Sequence, residues 1–330
     1  MSSCKNGCRT CVEMKEQLEG LNGITINFGE GGMMIVNIIL AFVMFGVALG
    51  IKFQTFKDVF TKPKSVIVGV LLQWVALPAV TFAIALALSP WITPMIALGM
   101  ILVASCPGGN ISNFISSLSK GNIELSVSMT AITTAGAPFV TPLNFFFWGS
   151  LYSQIISIKA DIPRLVIPFF PMLEQILLLL GVPIFLGILF AHYFPNATKK
   201  ITKPAQMLSI ALFIGMVIVS FSQNFQIFLD NIFYVFFIVL VHNASALGTG
   251  FIGGTLAKVP TRDRRSLTVE TGIQNSGLGL VMLFNSSIFP PEIWHGHYGG
   301  MLFITAWWGI WHIVSGLSVA FLFRRTPISE

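Results

Sequence analysis

Nine apolar segments, joined by short polar connections, constrain this 330-residue chain more than any other feature. They cover approximately residues 33–51, 64–88, 92–119, 122–149, 170–194, 204–223, 230–257, 263–288 and 297–323. Most exceed the ~20 residues a helix needs to cross a bilayer. In hydrocarbon every backbone polar group must find a partner inside the protein, which restricts such segments to helices. Only 10% of the residues are charged, against ~25% in ordinary soluble domains. Mean hydropathy is +0.81. The expectation is an all-α membrane protein with about nine transmembrane helices.

The charges between the segments predict an orientation. Lys52, Lys57, Lys62 and Lys64 follow the first segment, and every second loop after it is basic: Lys120; Lys199, Lys200 and Lys203; Lys258, Arg262, Arg264 and Arg265. With Arg324 and Arg325, 14 of the 19 Lys and Arg fall on one side. The other side holds Lys159 and Arg164, plus Lys5, Arg9 and Lys15 on the N-terminal tail. The positive-inside rule places residues 1–30 outside as a polar tail, 31–323 in the membrane as a transmembrane domain, and 324–330 in the cytoplasm. The first apolar segment, near Met33, follows a polar stretch without a signal-peptide core and is expected to be a retained span. The net charge of +6 lies scattered in short loops, a pattern that reports orientation and not a nucleic-acid partner.

Two of the segments are interrupted. Cys106-Pro107-Gly108-Gly109-Asn110-Ile111-Ser112-Asn113 breaks the third, and Glu270-Thr271-Gly272-Ile273-Gln274-Asn275-Ser276-Gly277 breaks the eighth. Pro107 lacks an N–H and clashes with the preceding turn. Gly108, Gly109, Gly272, Gly277 and Gly279 allow the backbone to open. The third segment should run inward and the eighth outward, as an inverted repeat requires, and paired broken helices point to a transporter's binding site.

Glu270 is the one acidic residue well inside a segment; Glu124 and Glu174 lie near segment ends. A carboxylate at membrane depth is a functional candidate, the alternative being a hydrogen-bonded structural glutamate. Gln274, at i+4, is read as sharing its helical face. Ser126 and Thr130, four apart, share a face of the fourth segment, and Gln73 lies inside the second. Alone, such residues usually bond one helix to another. Together with the two breaks they form a set of neutral oxygens around one carboxylate. Such a set excludes zinc and copper, carries fewer carboxylates than calcium sites, and suits a monovalent cation, sodium or a proton.

These motifs resemble the bile acid:sodium symporter family over about residues 33–323. The resemblance rests on Cys-Pro-Gly-Gly-x-x-Ser-Asn at 106–113 and Glu-x-Gly-x-Gln-Asn at 270–275, with Leu125-Ser126-Val127, His242-Asn243 and Trp311-His312 in support. It implies a core domain with two crossing discontinuous helices beside a panel domain. It implies one sodium site from Ser112, Asn113, Ser126, Thr130 and Glu270, and a second from Gln73, Glu270 and Gln274 with carbonyls near Thr271 and Ile273. Substrate contact is expected at Asn275, with Asn110 and Asn113 at the same crossing. Two features depart from bacterial members: their extra first helix has no counterpart here, and Ile313 stands where some have Asn.

The implied activity is sodium-coupled symport of an organic anion by alternating access, with Na+ as the coupling ion and no other cofactor. Its partners are the anion, sodium and lipid, and the chain is compatible with a monomer. The alternatives are an organic-anion sensor that does not transport and a proton-coupled carrier using Glu270. A channel would need polarity along several helices, whereas here it gathers at one depth. No nucleophile–base or metal set of an enzyme is evident: His192, His242, His295, His297 and His312 lack protease spacing. Cys4, Cys8 and Cys11 read as a local disulfide plus one thiol, and Cys106 as a small buried residue. Gly46-x-x-x-Gly50 and Gly250-x-x-x-Gly254 are expected at close helix contacts.

Overall fold

The computed structural model describes residues 15, 18–22, 29–51, 63–160, 167, 169–222, 225–285, 288–289 and 298–328. Cys4, Cys8, Cys11, His295 and His297 lie outside them. The regular structure of the described residues is helical, apart from one isolated β bridge. In chain order the helices are α1 (Gly29–Ala48), α2 (Pro63–Leu88), α3 (Pro94–Ser105), α4 (Ile111–Leu118), α5 (Ile123–Ala160) and α6 (Phe169–Tyr193). There follow α7 (Pro195–Ser222), α8 (Phe225–Leu256), α9 (Thr261–Gly272), α10 (Ser276–Leu283) and α11 (Gly299–Arg325). Among the described residues five helices, Pro63–Leu88, Ile123–Lys159, Phe169–Tyr193, Leu229–Leu256 and Gly299–Arg325, are long and apolar enough to cross a membrane.

The outward faces fit a lipid environment. Ile67, Leu71 and Val75 on α2, Phe139, Leu143 and Phe147 on α5, and Phe233, Phe237 and Val241 on α8 are all exposed. Each set repeats at four residues and makes an apolar stripe of a kind that soluble proteins rarely leave open. The chain is an integral membrane protein with many buried polar side chains.

Two helices are locally underwound. Leu72–Ala76 in α2 and Leu177–Gly181 in α6 form π turns, each followed by a proline, Pro78 and Pro183. Pro78 offers no N–H to the preceding turn, and the Trp74 carbonyl accepts instead from Asn144 Nδ2 at 2.9 Å. Such bulges recur at functional sites, and Gln73 lies within this one.

Two boundaries differ from the hydropathy reading. Helix α5 runs on to Ala160 because Tyr152, Ser153 and Ile156 are buried, so packing sustains the helix past its apolar stretch. Helix α7 starts at Pro195, directly after the non-helical Phe194 (φ −122°, ψ 58°), and continues through Pro204.

The interrupted helices lie inside. Met95–Ser105 of α3, Arg265–Gly272 of α9 and most of α10 are buried, which is where a broken helix is tolerated at membrane depth. Close approaches hold them there. A β-carbon on Gly99 would stand 2.3 Å from Ile304 Cγ2 of α11, and one on Gly250 of α8 would stand 2.6 Å from the Leu267 carbonyl oxygen of α9. Helix α1 packs on α6, with a β-carbon on Gly187 placed 2.6 Å from Ala48 Cβ and with the Phe45 and Phe190 rings 6.1 Å apart.

Candidate functional site

The two interruptions meet. Helix α3 begins with Thr93 accepting from the Ile96 N–H at 3.3 Å and with Pro94 in its first turn, a favoured start. It ends at Ser105, where Cys106 turns extended (φ −73°, ψ 158°) ahead of Pro107. Helix α9 ends at Gly272, and Ile273 leaves the helical region (φ −114°, ψ 88°). Gly108 and Gln274 then pair as an antiparallel bridge. The Gly109 N–H donates to the Ile273 carbonyl at 2.8 Å, and the Asn275 N–H donates to the Pro107 carbonyl at 2.8 Å. Each break thereby satisfies the other, as burial demands.

Beyond the crossing the chain resumes as two eight-residue helices, α4 and α10. Their N-termini and the C-termini of α3 and α9 converge on one place. Partial positive and partial negative helix ends therefore face the same small volume.

Glu270, in the last turn of α9, is fully buried. Its Oε1 accepts from Ser112 Oγ at 2.5 Å, Ser126 Oγ at 2.5 Å and Thr130 Oγ1 at 3.0 Å. Asn113 Oδ1 lies 2.9 Å from Ser126 Oγ and 3.3 Å from Thr130 Oγ1. Thr130 Oγ1 is also 3.0 Å from the Ser126 carbonyl and 3.4 Å from Ser112 Oγ. These seven close oxygen–oxygen approaches share three hydroxyl protons. A hydroxyl donates one hydrogen, so the cluster carries an excess of lone pairs over protons.

The second carboxylate oxygen faces another set. Glu270 Oε2 and Gln73 Nε2 would lie 2.6 and 2.9 Å from a β-carbon on Gly108, so glycine is required there. Gln73 Nε2 reaches the Glu270 carbonyl at 3.5 Å, and Gln274 Nε2 donates to the Thr271 carbonyl at 2.9 Å. Among the described residues, Glu270 Oε2, Gln73 Oε1, Gln274 Oε1 and Thr271 Oγ1 are buried without a hydrogen-bond partner. Leaving such a group unpaired costs ~1–3 kcal/mol, more when it is charged.

The structure thus gathers Ser112, Asn113, Ser126, Thr130 and Glu270 into one cluster, with Gln73 beside it and Thr271, Ile273 and Gln274 at the break. One inference from spacing is corrected. Gln274 does not continue the face of Glu270, because α9 stops at Gly272, and its side chain folds back onto Thr271. The two asparagines at the rim behave differently from each other. Asn275 Oδ1 accepts from the Leu278 N–H at 2.9 Å and caps α10, whereas Asn110 is exposed and makes no side-chain cap on α4.

Two supporting residues escape a reading by membrane depth alone. Thr133 Oγ1 accepts from the Gly108 N–H at 3.4 Å. Asn243 Nδ2 donates to the Gly272 carbonyl at 2.8 Å, and its Oδ1 accepts from Ser315 Oγ at 2.5 Å. The neighbouring His242 bonds Thr81 at 2.9 Å and packs on Trp308, which makes it a packing residue between helices. Among the described residues no group of three or more His, Cys, Asp or Glu could hold a metal ion.

The sequence is similar to proteins of one kind. Residues 37–231, more than half of the chain, match the profile of the Sodium Bile acid symporter family. An uncharacterized sodium-dependent transporter of Bacillus subtilis (strain 168), YocS, is 31% identical over 281 residues, 82% of each chain. The probable chloroplastic sodium/metabolite cotransporter BASS2 of Oryza sativa subsp. japonica is 30% identical over 243 residues, 74% of this chain and 55% of the rice protein. This chain therefore matches about half the length of that plant relative. The ileal sodium/bile acid cotransporter of Cricetulus griseus is 27% identical over 258 residues, 78% of this chain and 70% of the hamster protein.

Proposed function

This chain belongs to the sodium bile acid symporter family, and we propose that it is a sodium-coupled symporter of an organic anion working by alternating access. The observation that carries the reading is the buried Glu270, with more oxygens packed around its Oε1 than there are protons to share. A monovalent cation answers that excess. One sodium ion binds among Ser112, Asn113, Ser126, Thr130 and Glu270. A second binds beside Glu270 Oε2 with Gln73, Gln274 and the backbone at Thr271 and Ile273, where buried oxygens lack partners. The first site joins both breaks and the second joins the Glu270 break to the π turn of α2, so sodium fixes the crossing.

The anion meets that crossing from the side of α4 and α10, whose N-termini are natural anion sites. Asn275, Asn110 and Asn113 stand there as its polar contacts. The fold reading is nine transmembrane helices in inverted repeats. The matched lengths of the broken pairs, twelve and eight residues in each, favour it. A core of α2–α5 and α8–α11 would rock against a panel of α1, α6 and α7, carrying the sites with it. Residues 1–30 lie outside and 324–330 in the cytoplasm. In favour, the basic segment ends at Lys64, Lys120, Lys258–Arg265 and Arg324–Arg325 gather at one end of the molecule.

Two sodium ions with one monoanion carry net charge +1. An inside-negative potential then favours uptake by ~2.3 kcal/mol per 100 mV. Tenfold gradients of both ions add ~2.8 kcal/mol. Together these sustain accumulation of up to roughly several thousandfold.

Uptake of labelled organic anions into proteoliposomes, with and without an inward sodium gradient, tests the reading. Sodium-driven accumulation is expected. Binding with no flux would make the protein a sensor, and equal uptake driven by a proton gradient would assign Glu270 to proton coupling.

A further inference from the structure

Seven and five residues before Glu270, the start of α9 carries two buried charges that the site itself does not use. Asp263 is 6% exposed and Arg265 3%. Asp263 Oδ2 accepts from Ser65 Oγ of α2 at 2.5 Å, and its Oδ1 accepts from Asn122 Nδ2, just before α5, at 2.8 Å. Arg265 Nη1 donates to the Ser119 carbonyl at the end of α4 at 3.0 Å. Its Nη2 donates to the Thr326 carbonyl at 2.9 Å and Oγ1 at 3.0 Å, and reaches the Pro327 carbonyl at 3.4 Å. Ser266 Oγ donates to the Asn122 carbonyl at 2.8 Å, and the Asn122 N–H donates to the Arg262 carbonyl at 3.1 Å.

The anchored elements are the ones that supply the oxygens around Glu270. Ser65 stands two turns from Gln73, Ser119 two turns from Ser112, and Asn122 one and two turns from Ser126 and Thr130. At 5.4 Å per turn the clamp lies ~11 Å from the cluster. Buried charges are expensive unless fully hydrogen-bonded. Here each is satisfied, and each fixes a different pair of helices against α9.

We infer that Asp263 and Arg265, with the C-terminal Thr326–Pro327 segment, are positioning residues that hold α2, α4, α5 and α9 in register so that their oxygens converge on the cation. Arginine is needed because its planar fork reaches the Ser119 and Thr326 carbonyls together, whereas a lysine presents one point charge. The inference rests on the sodium-site reading above and adds to it a second layer of residues and a role for the chain's C-terminal turn.

The test compares the wild-type chain with Asp263→Asn, Arg265→Lys, Arg265→Ala and a chain ended after Arg325. Half-saturating sodium is read from sodium-dependent thermal stabilisation, and the anion KM is read from uptake at saturating sodium. Removing partners that touch metal ligands directly typically weakens affinity ~10–100-fold, and these residues act from further away. A rise of up to ~10-fold in half-saturating sodium is expected for Arg265→Ala and Asp263→Asn. Smaller rises are expected for Arg265→Lys and the shortened chain, with anion KM within about twofold of wild type throughout. Should Arg265→Ala fail to fold, the lysine variant and the shortened chain decide. Unchanged sodium dependence in those two overturns the inference, and so does a parallel loss of sodium and anion affinity. Absence of sodium stabilisation in the wild-type chain overturns the sodium-site reading instead.

Discussion

Gly108 and Glu270 approach so closely that a β-carbon on the glycine would stand 2.6 Å from the carboxylate Oε2. The same β-carbon would be 2.9 Å from Gln73 Nε2. A methyl group there occupies the space where the unpartnered oxygens of Gln73 and Glu270 open. Gly108→Ala is therefore expected to abolish sodium-driven uptake and to remove the stabilising effect of sodium. Its cost in sodium-free buffer is the ~1–3 kcal/mol of overpacking. Unfolding temperatures in sodium and in choline chloride check this; a sodium-dependent rise equal to wild type would contradict it.

Glu270→Gln keeps the shape of the side chain and removes its charge. For the wild-type protein, sodium at one hundred times its Kd is expected to stabilise by ~2.7 kcal/mol for each bound ion. The variant should lose that increment while remaining folded, because the amide oxygen still accepts from Ser112 and Ser126. Thermal unfolding across a sodium titration measures it, and a retained increment would rule out the carboxylate as a ligand.

Asn275 caps α10 and is the proposed anion contact, two roles that substitution separates. Its side chain caps α10 through the Leu278 N–H, and a lost asparagine cap costs ~1 kcal/mol. Asn275→Ala should lower stability by that amount and raise the anion KM. Asn275→Ser preserves the cap, so it should leave stability within a few tenths of a kcal/mol and still raise the KM. If serine restores both, the residue is a cap alone.

The polar breaks are legible in the sequence because Pro107 and its glycines interrupt an otherwise unbroken apolar run, and because a carboxylate at membrane depth such as Glu270 is a functional candidate by default. The residue types around the carboxylate follow from the same logic and from family resemblance. The π turn that carries Gln73 is not legible: it depends on Asn144 reaching across to the Trp74 carbonyl, a contact 70 residues away. Arg265 reads in the sequence as part of a basic loop, and nothing there singles out Asp263, since charges at segment ends ordinarily reach water. Their burial is a product of packing against Ser65, Ser119 and Thr326. Gln274 differs in kind: i+4 spacing holds only within a helix, and α9 ends at Gly272.

Lys120 and Lys258 adopt left-handed backbone angles, φ 53° and 52°, at the ends of α4 and α8. The Val259 N–H closes onto the Gly254 carbonyl at 3.1 Å and the Lys258 N–H onto the Thr255 carbonyl at 3.0 Å, a helix terminus that favours glycine. Lys258→Gly should stabilise the protein by up to ~1 kcal/mol by relieving the left-handed cost. Chemical or thermal unfolding at fixed sodium measures the gain.

The mutual backbone bonds between the breaks also bear on how the polypeptide is made. Ser112 and Glu270 are 158 residues apart, so at ribosomal speeds of ~5–20 residues per second the first break waits roughly 8–30 s for its mate. During that interval the Pro107 carbonyl and the Gly109 amide lack the bonds they will hold in the finished molecule. The nascent first half must keep a wet cleft, or a helper protein, around them until translation delivers Ile273 and Asn275.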